Sequence, residues 1–475
     1  MNIETYDLAI IGSGSGNSII TPFWEDKKVA IIDSGTFGGT CLNAGCIPTK
    51  MFAYPAQLAA SSEHAKRLGV DLDFVAANWP AIRDRIFSRI DAISEGGRHY
   101  REVELDNTTF ISEEVRFSGR KQLTSDTGRV IEASQIVIAA GSRPKLPDVA
   151  GIDLPGVHTS DTVMRISNLP KRIIVVGGKY IGSEFAAVFA GLGSEVIHIN
   201  RSGQLLSNHD STISDAFTRA AKRQWQVEPN RTLHSIQQAG DQLRVNVSAT
   251  GQRQDEIVDH FVGDVVLLAT GRIPNTDRLN LAAADIDTVD AAIARDEYLR
   301  VLSGGTPVDG VWALGDIANL QMLKHVANHE QRIVSHNMEN PNCMQRDTKQ
   351  VVPAGVFSQP QIASIGLTED EARSQLGTEK ITVKVQSYGD TAYGWAMEDS
   401  EGLVKLIAKK STGQLLGAHI MGSEATNLLQ PLITAMAFDI TAHRLARGQY
   451  WIHPAMAEVV ENALLGLDVP ESGNL

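Results

Sequence analysis

Two cysteines lie five residues apart in the segment GGTCLNAGCIPTK, in a chain of 475 residues with only three cysteines. A secreted disulfide-rich protein would carry many more, in even number, so clustered thiols here favour redox or metal chemistry. Along a regular helix Cys41 and Cys46 would be separated by about 7.5 Å of axial rise, whereas disulfide Cα atoms usually lie about 4.4 to 6.8 Å apart. A disulfide between them would therefore occupy a distorted turn and be easily reduced. The alternative is that both are small buried hydrophobic residues.

A candidate acid–base group lies near the C-terminus, in GQYWIHPAMAEVVENALLGL. His453 precedes Pro454, and Glu458 follows the histidine by five residues. A lone histidine is usually structural, but one held near a carboxylate is a better candidate for proton transfer. The third cysteine, Cys343, has no such neighbours and is interpreted as a bystander.

Composition and charge exclude several functions. The net charge is −13, with 43% hydrophobic and 21% charged residues, so nucleic acid and anionic membranes are unfavourable partners. The first residues, MNIETYDLAIIG, show no basic segment followed by an apolar one. No apolar run reaches the roughly 18 residues that a membrane helix needs. We expect a soluble, cytoplasmic protein, in which a disulfide is usually catalytic.

The first elements that must position these residues form a dinucleotide-binding unit. YDLAIIG runs into GSGSGN, and a second strand, KVAIID, ends at Asp33; this predicts strand, glycine turn, helix, strand and acid. Gly12 makes the tight turn, and Gly14 lets the backbone approach a pyrophosphate at the helix N-terminus. Asp33 can bind a ribose hydroxyl. Asn17 replaces the third glycine and follows Gly16, a change that concerns packing more than phosphate contact.

The same pattern recurs in RIIVVGGKYIGSEFAAVFAGLGSEVIHINRS, which implies a second dinucleotide. Gly177 and Gly182 hold the first and third glycine positions, but Lys179 holds the second. The second strand leads to Asn200 and Arg201 rather than to an acid. A neutral residue followed by arginine favours a 2′-phosphate, and hence NADPH over NADH. The alternative is that Arg201 is a solvated surface charge.

Together these segments resemble the flavin disulfide reductases, over about residues 5 to 467. The resemblance is carried by GGTCLNAGCIPTK, the two βαβ units, ATGRIPNT, ALGD and HPAMAE. Within that family, GSGSGN, PTKMF, LKHVANHE and GQYWIHPAMAEVVENALLGL resemble the mycothione reductases most. The resemblance implies NADPH-dependent reduction of a small disulfide, mycothione, through FAD and a Cys41–Cys46 pair.

The resemblance also implies a fold: an α/β chain with two doubly wound, Rossmann-like domains and a C-terminal α+β dimerisation domain. Glycine and proline between residues 141 and 156 mark a boundary, and alternating, strand-like runs begin near residue 347. The expected domains are an FAD-binding domain (1–148), an NADP-binding domain (149–271), a central domain completing the FAD site (272–346) and a dimer interface (347–475).

Roles for individual residues follow from the same resemblance. Cys46 is the thiol beside the flavin, and Cys41 is the thiol that attacks the substrate. Lys50 and Glu184 pair near the flavin, and Tyr180 covers the nicotinamide pocket. His453 and Glu458 reach the other subunit's cysteines, so the implied assembly is a homodimer with shared sites. The FAD set is Gly12, Gly14, Asn17, Asp33, Gly39, Thr40, Lys50, Gly141, Arg272, Gly315 and Asp316. The NADPH set is Gly177, Lys179, Tyr180, Gly182, Glu184, Asn200, Arg201 and Gly271, and no metal is expected.

Five other functions compete with this interpretation. A dihydrolipoamide dehydrogenase would use NAD and would end the second unit with an acid, against which Asn200 and Arg201 argue. A glutathione reductase would offer arginines to an acidic substrate, and NSIITPFWEDKK contains none. Large thioredoxin reductases and mercuric reductases would carry a further cysteine pair near a terminus. A non-catalytic flavin-binding homologue would have no need of both cysteines together with His453 and Glu458.

Overall fold

The computed structural model describes residues 3–251, 256–348 and 351–471. Its first part, from residue 3 to residue 144, contains seven strands and three α-helices. The strands are β1 (Ile3–Ile11), β2 (Val29–Ile32), β3 (Thr108–Ile111), β4 (Val115–Gly119), β5 (Gln122–Ser125), β6 (Val130–Ile138) and β7 (Ser142–Pro144). The helices are α1 (Gly39–Asn43), α2 (Cys46–Arg67) and α3 (Trp79–His99).

The middle of the chain supplies the second sheet and additions to the first. Its strands are β8 (Val157–Thr159), β9 (Arg172–Val176), β10 (Glu195–Ile199), β11 (Gln226–Glu228), β12 (Arg231–Ala239), β13 (Gln242–Ala249), β14 (Asp259–Gly263), β15 (Val265–Leu268), β16 (Arg272–Pro274), β17 (Thr288–Val289), β18 (Ala292–Ile293), β19 (Arg300–Ser303) and β20 (Thr306–Ala313). Its helices are α4 (Tyr180–Gly191), α5 (Ser211–Gln224) and α6 (Lys324–Glu339).

The last part is an antiparallel sheet with helices. Its strands are β21 (Ala354–Val356), β22 (Gln361–Gly366), β23 (Ile381–Ser387), β24 (Leu403–Lys409) and β25 (Leu415–Gly422). Its helices are α7 (Glu369–Leu376), α8 (Ala392–Met397), α9 (Ala425–Leu428), α10 (Gln430–Ala437), α11 (Ala442–Arg447) and α12 (Glu458–Leu465). The sheet order is β21–β22–β25–β24–β23.

Two sheets of similar design carry the glycine turns. The first has the order β19–β20–β6–β1–β2–β3, with β5 also paired to β6, and the second has the order β11–β10–β9–β15–β8. β1 is parallel to β2 and β6, and β9 is parallel to β10 and β15. Each turn therefore follows a central strand at its carboxyl end, where open α/β sheets bind their ligands. Residues 8–11 of β1 are all buried, which explains the unbroken apolar run.

An aromatic stack holds α2, the helix that begins with Cys46. The ring of Phe52 lies 4.9 Å from that of Trp79 in α3, and Trp79 lies 5.5 Å from Phe189 in α4. All three side chains are buried. Such ring pairs each contribute about 0.5–1.5 kcal/mol beyond their burial. The stack therefore fixes α2 against the helix of the second nucleotide unit.

The first glycine turn does not lead into an α-helix, so that prediction was wrong. Ser15–Ile19 and Pro22–Trp24 form two short 3₁₀ helices instead. Thr21 is extended, with φ −106° and ψ 175°, because the residue before a proline avoids the helical region. Pro22 also has no N–H to continue a helix. Within the ALGD motif, β20 ends at Ala313, and Gly315–Ile317 forms a 3₁₀ turn.

The predicted fold class is confirmed: two doubly wound α/β units are followed by a C-terminal α+β unit. Within the described ranges, no helix is both long and apolar enough to cross a membrane.

Candidate active site

The two cysteines flank a break between two helices. Cys41 lies in α1, which ends at Asn43, and Cys46 is the first residue of α2. Between them Gly45 has φ −132° and ψ −120°, which ends one helix before the other begins. Thr49 Oγ1 donates to Gly45 O at 2.7 Å and secures the first turn of α2. The break brings the two thiols within hydrogen-bonding reach of each other.

The two thiols differ in acidity. The pKa of Cys46 is lowered to about 7, chiefly by the hydrogen bond from Cys41, with Lys50 and Lys324 adding to the effect. The hydrogen bond to Cys46 and burial raise the pKa of Cys41. Cys46 also begins a helix, where the backbone N–H groups and the helix dipole favour a thiolate. The reduced pair therefore carries its negative charge on Cys46 and its proton on Cys41.

Lys50 and Glu184 form an ion pair next to the cysteines. Lys50 Nζ lies 2.9 and 3.0 Å from the two carboxylate oxygens of Glu184. Lys50 follows Cys46 by one helical turn, and Glu184 is buried in α4. Phe357 N donates to Glu184 Oε1 at 2.9 Å, and the Phe357 ring lies 4.6 Å from Lys50 Nζ.

Tyr180, the first residue of α4, lies within electrostatic range of several of these groups. Burial raises its pKa to about 12; the charge of Arg272 opposes this, and those of Asp316, Glu184 and Cys46 reinforce it. The phenol is therefore neutral near pH 7. Residues from three of the four predicted domains thus converge around one tyrosine.

Asp316 and Arg272 are joined through a serine that no sequence motif singled out. Arg272 Nε donates to Ser142 Oγ at 2.9 Å, and Ser142 Oγ donates to Asp316 Oδ2 at 2.6 Å. Burial raises the pKa of Asp316, against the hydrogen bond from Ser142 and the charge of Arg272. The neighbouring Gly315 N donates to buried Glu330 in α6 at 2.7 Å.

The first glycine turn forms a narrow cradle. Gly12 has φ +107°, and a Cβ there would lie 2.3 Å from Ala139 O. Gly39 has φ +70°, and its Cβ would lie 2.8 Å from the Cα of Gly14. Only glycine suits these positions, because any side chain would meet backbone. Thr40 follows Gly39 in α1, and its carbonyl accepts a hydrogen bond from Ala44 N at 2.9 Å.

The remaining residues of the predicted FAD set surround this cradle. Ser13 N and Oγ donate to Asp33 Oδ2 at 2.8 and 2.6 Å, which ties the end of β2 to the glycine turn. Gly141 has φ +67° and open space where its Cβ would be. The glycine turn at the carboxyl end of β1 leaves room for the pyrophosphate of FAD, and Asp33 beside it can bind a ribose hydroxyl.

Gly16 makes the close contact with the neighbouring strands that the third glycine of a dinucleotide-binding turn usually makes. A Cβ on Gly16 would lie 2.7 Å from that of Ala139 and 3.0 Å from Ile10 Cγ2. Asn17 is instead held by Arg101, whose Nε donates to Asn17 Oδ1 at 2.9 Å. No local pattern marks Arg101 as part of this turn, since 84 residues separate it from Asn17.

The second glycine turn repeats the first. Gly177 has φ +121°, and its Cβ would lie 2.3 Å from Ala269 O; the Cβ of Gly182 would lie 1.8 Å from Gly177 O. Lys179 precedes α4 with φ −86°, a conformation open to any residue, and its side chain is exposed. The close approach falls at Gly178, whose Cβ would lie 2.4 Å from Asn200 Oδ1.

Asn200 and Arg201 follow β10 beside this turn. Buried Asn200 donates to Ser202 O at 2.9 Å and to Gln204 O at 2.7 Å, which shapes the loop. Arg201 is exposed. Gly271 has φ +118° and open space at its Cβ position. An exposed arginine beside the glycine turn is suited to bind the 2′-phosphate of NADPH.

His453 and Glu458 lie together on the surface. His453 Nδ1 is 2.6 Å from Glu458 Oε1, and the imidazole side chain is 72% exposed. The hydrogen bond from His453 lowers the pKa of Glu458, so the carboxylate accepts and Nδ1–H donates, which leaves Nε2 free to take a proton. In the described part of the chain, His453 bonds to neither cysteine.

The described residues contain neither a candidate metal site nor a disulfide. In residues 3–251, 256–348 and 351–471, no group of three or more His, Cys, Asp or Glu side chains could hold a metal ion. Cys41, Cys46 and exposed Cys343 are all free thiols.

Comparison with known proteins identifies the family. Residues 6–331 match the pyridine nucleotide-disulphide oxidoreductase family, and residues 352–464 match the dimerisation domain of the same family. The chain therefore belongs to the pyridine nucleotide-disulphide oxidoreductases. The predicted class, a disulfide-reducing flavoenzyme with FAD and a nicotinamide nucleotide, is confirmed.

Individual relatives narrow this class. Mycothione reductases from two strains of Mycobacterium tuberculosis are 47% identical over 478 residues, covering 98% of this chain and 100% of theirs. Dihydrolipoyl dehydrogenase from Chlamydia trachomatis is 31% identical, covering 98% of each chain. Glutathione reductase from a Nostoc species is 30% identical, covering 95% of this chain and 98% of its own. Among solved structures, the Cu(II) complex of the HOCl-induced flavoprotein disulfide reductase RclA from Escherichia coli matches with TM-score 0.83 and 25% identity, covering 98% of this chain and 99% of that one.

Proposed function

We propose that this chain reduces mycothione to mycothiol with NADPH. The observation that carries the substrate assignment is the full-length similarity to the mycothione reductases, which exceeds that to the dihydrolipoyl dehydrogenase and glutathione reductase relatives. Arg201 and the absence of an acid after β10 support NADPH as the donor. The sugar portion of mycothiol has no carboxylates, so its disulfide does not need the arginines that glutathione would.

The cysteine pair carries out the exchange with the substrate. FAD, held by the glycine turn after β1 and by Asp33, would supply two-electron transfer from NADPH to the Cys41–Cys46 disulfide. The disulfide takes up the electron pair and one proton and becomes a thiol and a thiolate. Cys41, once deprotonated, attacks one sulfur of the substrate disulfide; the S–S bond breaks and the first thiol leaves with a proton. The Cys46 thiolate then attacks Cys41 in the mixed disulfide; this releases the second substrate sulfur as a thiolate, which takes a proton from solvent, and restores the bridge.

His453 is the acid–base group of this exchange. Because the pKa of Cys41 is raised by its hydrogen bond to Cys46 and by burial, Cys41 needs a base in order to attack. His453 Nε2 takes that proton and returns it to the leaving thiol. Glu458 holds the imidazole through Nδ1 and stabilises its protonated form.

Each site is shared between two subunits of a homodimer. His453 is largely exposed and bonds to neither cysteine within the described chain, and the family's dimerisation domain spans it. We assign residues 1–148 to FAD binding, 149–271 to NADPH binding, 272–346 to completing the FAD site, and 347–475 to dimerisation.

The substrate assignment is tested by NADPH oxidation with three disulfides: mycothione, glutathione disulfide and lipoamide. We expect mycothione to give a kcat/KM at least about tenfold above the others, a difference of about 1.4 kcal/mol at the transition state. Cys46→Ser is the matched control and should oxidise no NADPH with any of them. Equal or faster turnover of lipoamide or glutathione disulfide would assign the enzyme to another branch of the family.

The shared site is tested with mixed dimers. His453→Ala should slow disulfide turnover by roughly 10²–10⁴-fold and leave flavin reduction by NADPH nearly unchanged. A dimer of one His453→Ala and one Cys41→Ser subunit contains one complete site, so it should recover up to half of the normal activity. The two parent homodimers are the controls. Well-formed mixed dimers without activity would overturn the shared site.

A further inference from the structure

Lys324, the first residue of α6, places a second ammonium group beside the cysteine pair. Its Nζ donates to Ser15 Oγ at 2.8 Å across 309 residues. Ser15 follows Gly14, whose Cα would lie 2.8 Å from a Cβ on Gly39. Gly39 begins α1, two residues before Cys41. Ser15 therefore holds the Lys324 ammonium on the glycine turn against which the cysteine helix packs.

Lys324 differs from Lys50 in its direct partner. Lys50 is paired with Glu184 at 2.9 Å. Lys324 is half-buried, and among the described residues it forms no salt bridge; its bond to Ser15 is to a neutral hydroxyl. A half-buried ammonium favours negative charge on nearby groups.

We propose that Lys324 is a positioning residue of the disulfide-reducing centre, whose ammonium favours the state in which the reduced cysteine pair holds one negative charge. The inference rests on the proposed function, because it concerns the step that loads the pair with electrons. In that step the Cys41–Cys46 disulfide takes up two electrons, which NADPH supplies, and one proton. The products are a thiol at Cys41 and a thiolate at Cys46, so a nearby cation favours reduction.

The direction of the electrostatic effect agrees with this role. Besides the hydrogen bond from Cys41, which is the largest influence, Lys50 and Lys324 both lower the pKa of Cys46. Tyr180 lies within electrostatic range of Cys46, and Asp316 lies within range of Lys324; Arg272, Glu184 and Glu330 act on one or both of these two groups. The pKa of Asp316 is raised by burial, and Lys324 partly opposes that rise.

Asp316 and Lys324 lie at the two ends of one segment, the loop that leads into α6, and hydrogen bonds to Glu330 hold this loop in place. Glu330 of α6 accepts from Gly315 N at 2.7 Å and from Asn319 Nδ2 at 2.7 Å. Arg295 pairs with the same carboxylate. The loop before α6 is therefore anchored to the helix, which limits how far the Lys324 backbone can move from the site.

The test is a pH titration of Cys46 in the FAD-loaded Cys41→Ser protein. The long-wavelength absorbance of a thiolate against oxidised flavin reports the fraction of Cys46 that is ionised. We expect Lys324→Met to raise the midpoint by about 0.5–1 unit, the effect of removing one nearby charge in a partly solvated site. Lys324→Arg keeps the charge and should restore most of the shift. Lys66→Met, at the far end of α2 and paired with exposed Asp73, is the control and should leave the midpoint unchanged.

A midpoint that does not rise in Lys324→Met, or a rise that Lys324→Arg does not reverse, overturns the proposal. If Lys324→Met does not retain FAD, the pH dependence of Cys46 alkylation in the Cys41→Ser/Cys343→Ser protein measures the same shift and is judged in the same way. Failure of the proposed function is separate: an enzyme that does not reduce mycothione but shows the shift refutes the substrate and leaves the role of Lys324 intact.

Discussion

A buried lysine joins the second nucleotide unit to the C-terminal sheet, and its removal should destabilise the protein strongly. Lys405 of β24 is 2% exposed, and its Nζ lies 2.8 Å from Asp210, which is 1% exposed, and 2.7 Å from Glu369. It also donates to Thr212 Oγ1 at 2.9 Å. Asp210 caps α5 and Glu369 begins α7, so three elements meet at one ammonium.

Lys405→Met should cost about 3 kcal/mol of unfolding free energy. Removing one partner of a buried pair typically costs about 3–5 kcal/mol, because it leaves a buried charge uncompensated. Asp210 keeps hydrogen bonds from Thr212 N and Glu369 N, both at 3.0 Å. Glu369 is partly exposed and still pairs with Arg373, so the lower end of that range applies. A loss of this size changes the unfolding equilibrium by about a hundredfold.

The measurement is amide hydrogen exchange at β24 and α5, supported by urea unfolding followed through tryptophan fluorescence. Adding Asp210→Asn to Lys405→Met removes the stranded charge and keeps an acceptor for the helix cap, so it should recover about half of the loss or more. Lys410→Met, which breaks an exposed pair with Asp468, is the control and should cost at most about 0.5 kcal/mol. A loss below about 1 kcal/mol in Lys405→Met, or a double variant less stable than the single one, would refute the reasoning.

Three further predictions concern the cysteine pair, the NADPH site and the buried side chain of His198. Cys46→Ser should abolish the long-wavelength absorbance of the flavin, whereas Cys41→Ser should show it without reduction; its absence from Cys41→Ser would reverse the assignment of the thiols. Lys179→Gly should tighten NADPH binding by clearing space at the pyrophosphate. Arg201→Ala should weaken NADPH binding roughly 10–100-fold and erase the preference for NADPH over NADH. Both are measured by nucleotide titration, and weaker NADPH binding in Lys179→Gly would make the lysine a phosphate ligand. Burial lowers the pKa of His198 to about 4, so its contribution to stability is full above about pH 6.5 and declines as the pH falls towards 4; urea midpoints that stay constant over this window would contradict it.

The sequence by itself determined the features that lie within short segments. The strand, glycine turn and strand of each nucleotide unit are contiguous, and so are the cysteine pair and the pair of His453 and Glu458. Each depends on local backbone rules or on spacings of a few residues. The cofactor class and the disulfide chemistry can therefore be predicted from the order of residues alone. The conformation after the first turn was predicted wrongly, although Pro22 is a local signal against a continuous helix there.

Only the tertiary structure decided which distant residues support the site. Ser15 and Lys324 are 309 residues apart, Asp210 and Lys405 are 195, and neither pair has a signature in its own segment. Arg101 likewise reaches Asn17 only because the strands and helices between them fold back together. Single-sequence patterns report burial and backbone conformation along the chain. They do not report which charged side chain a buried group will meet, since that depends on how separate elements pack.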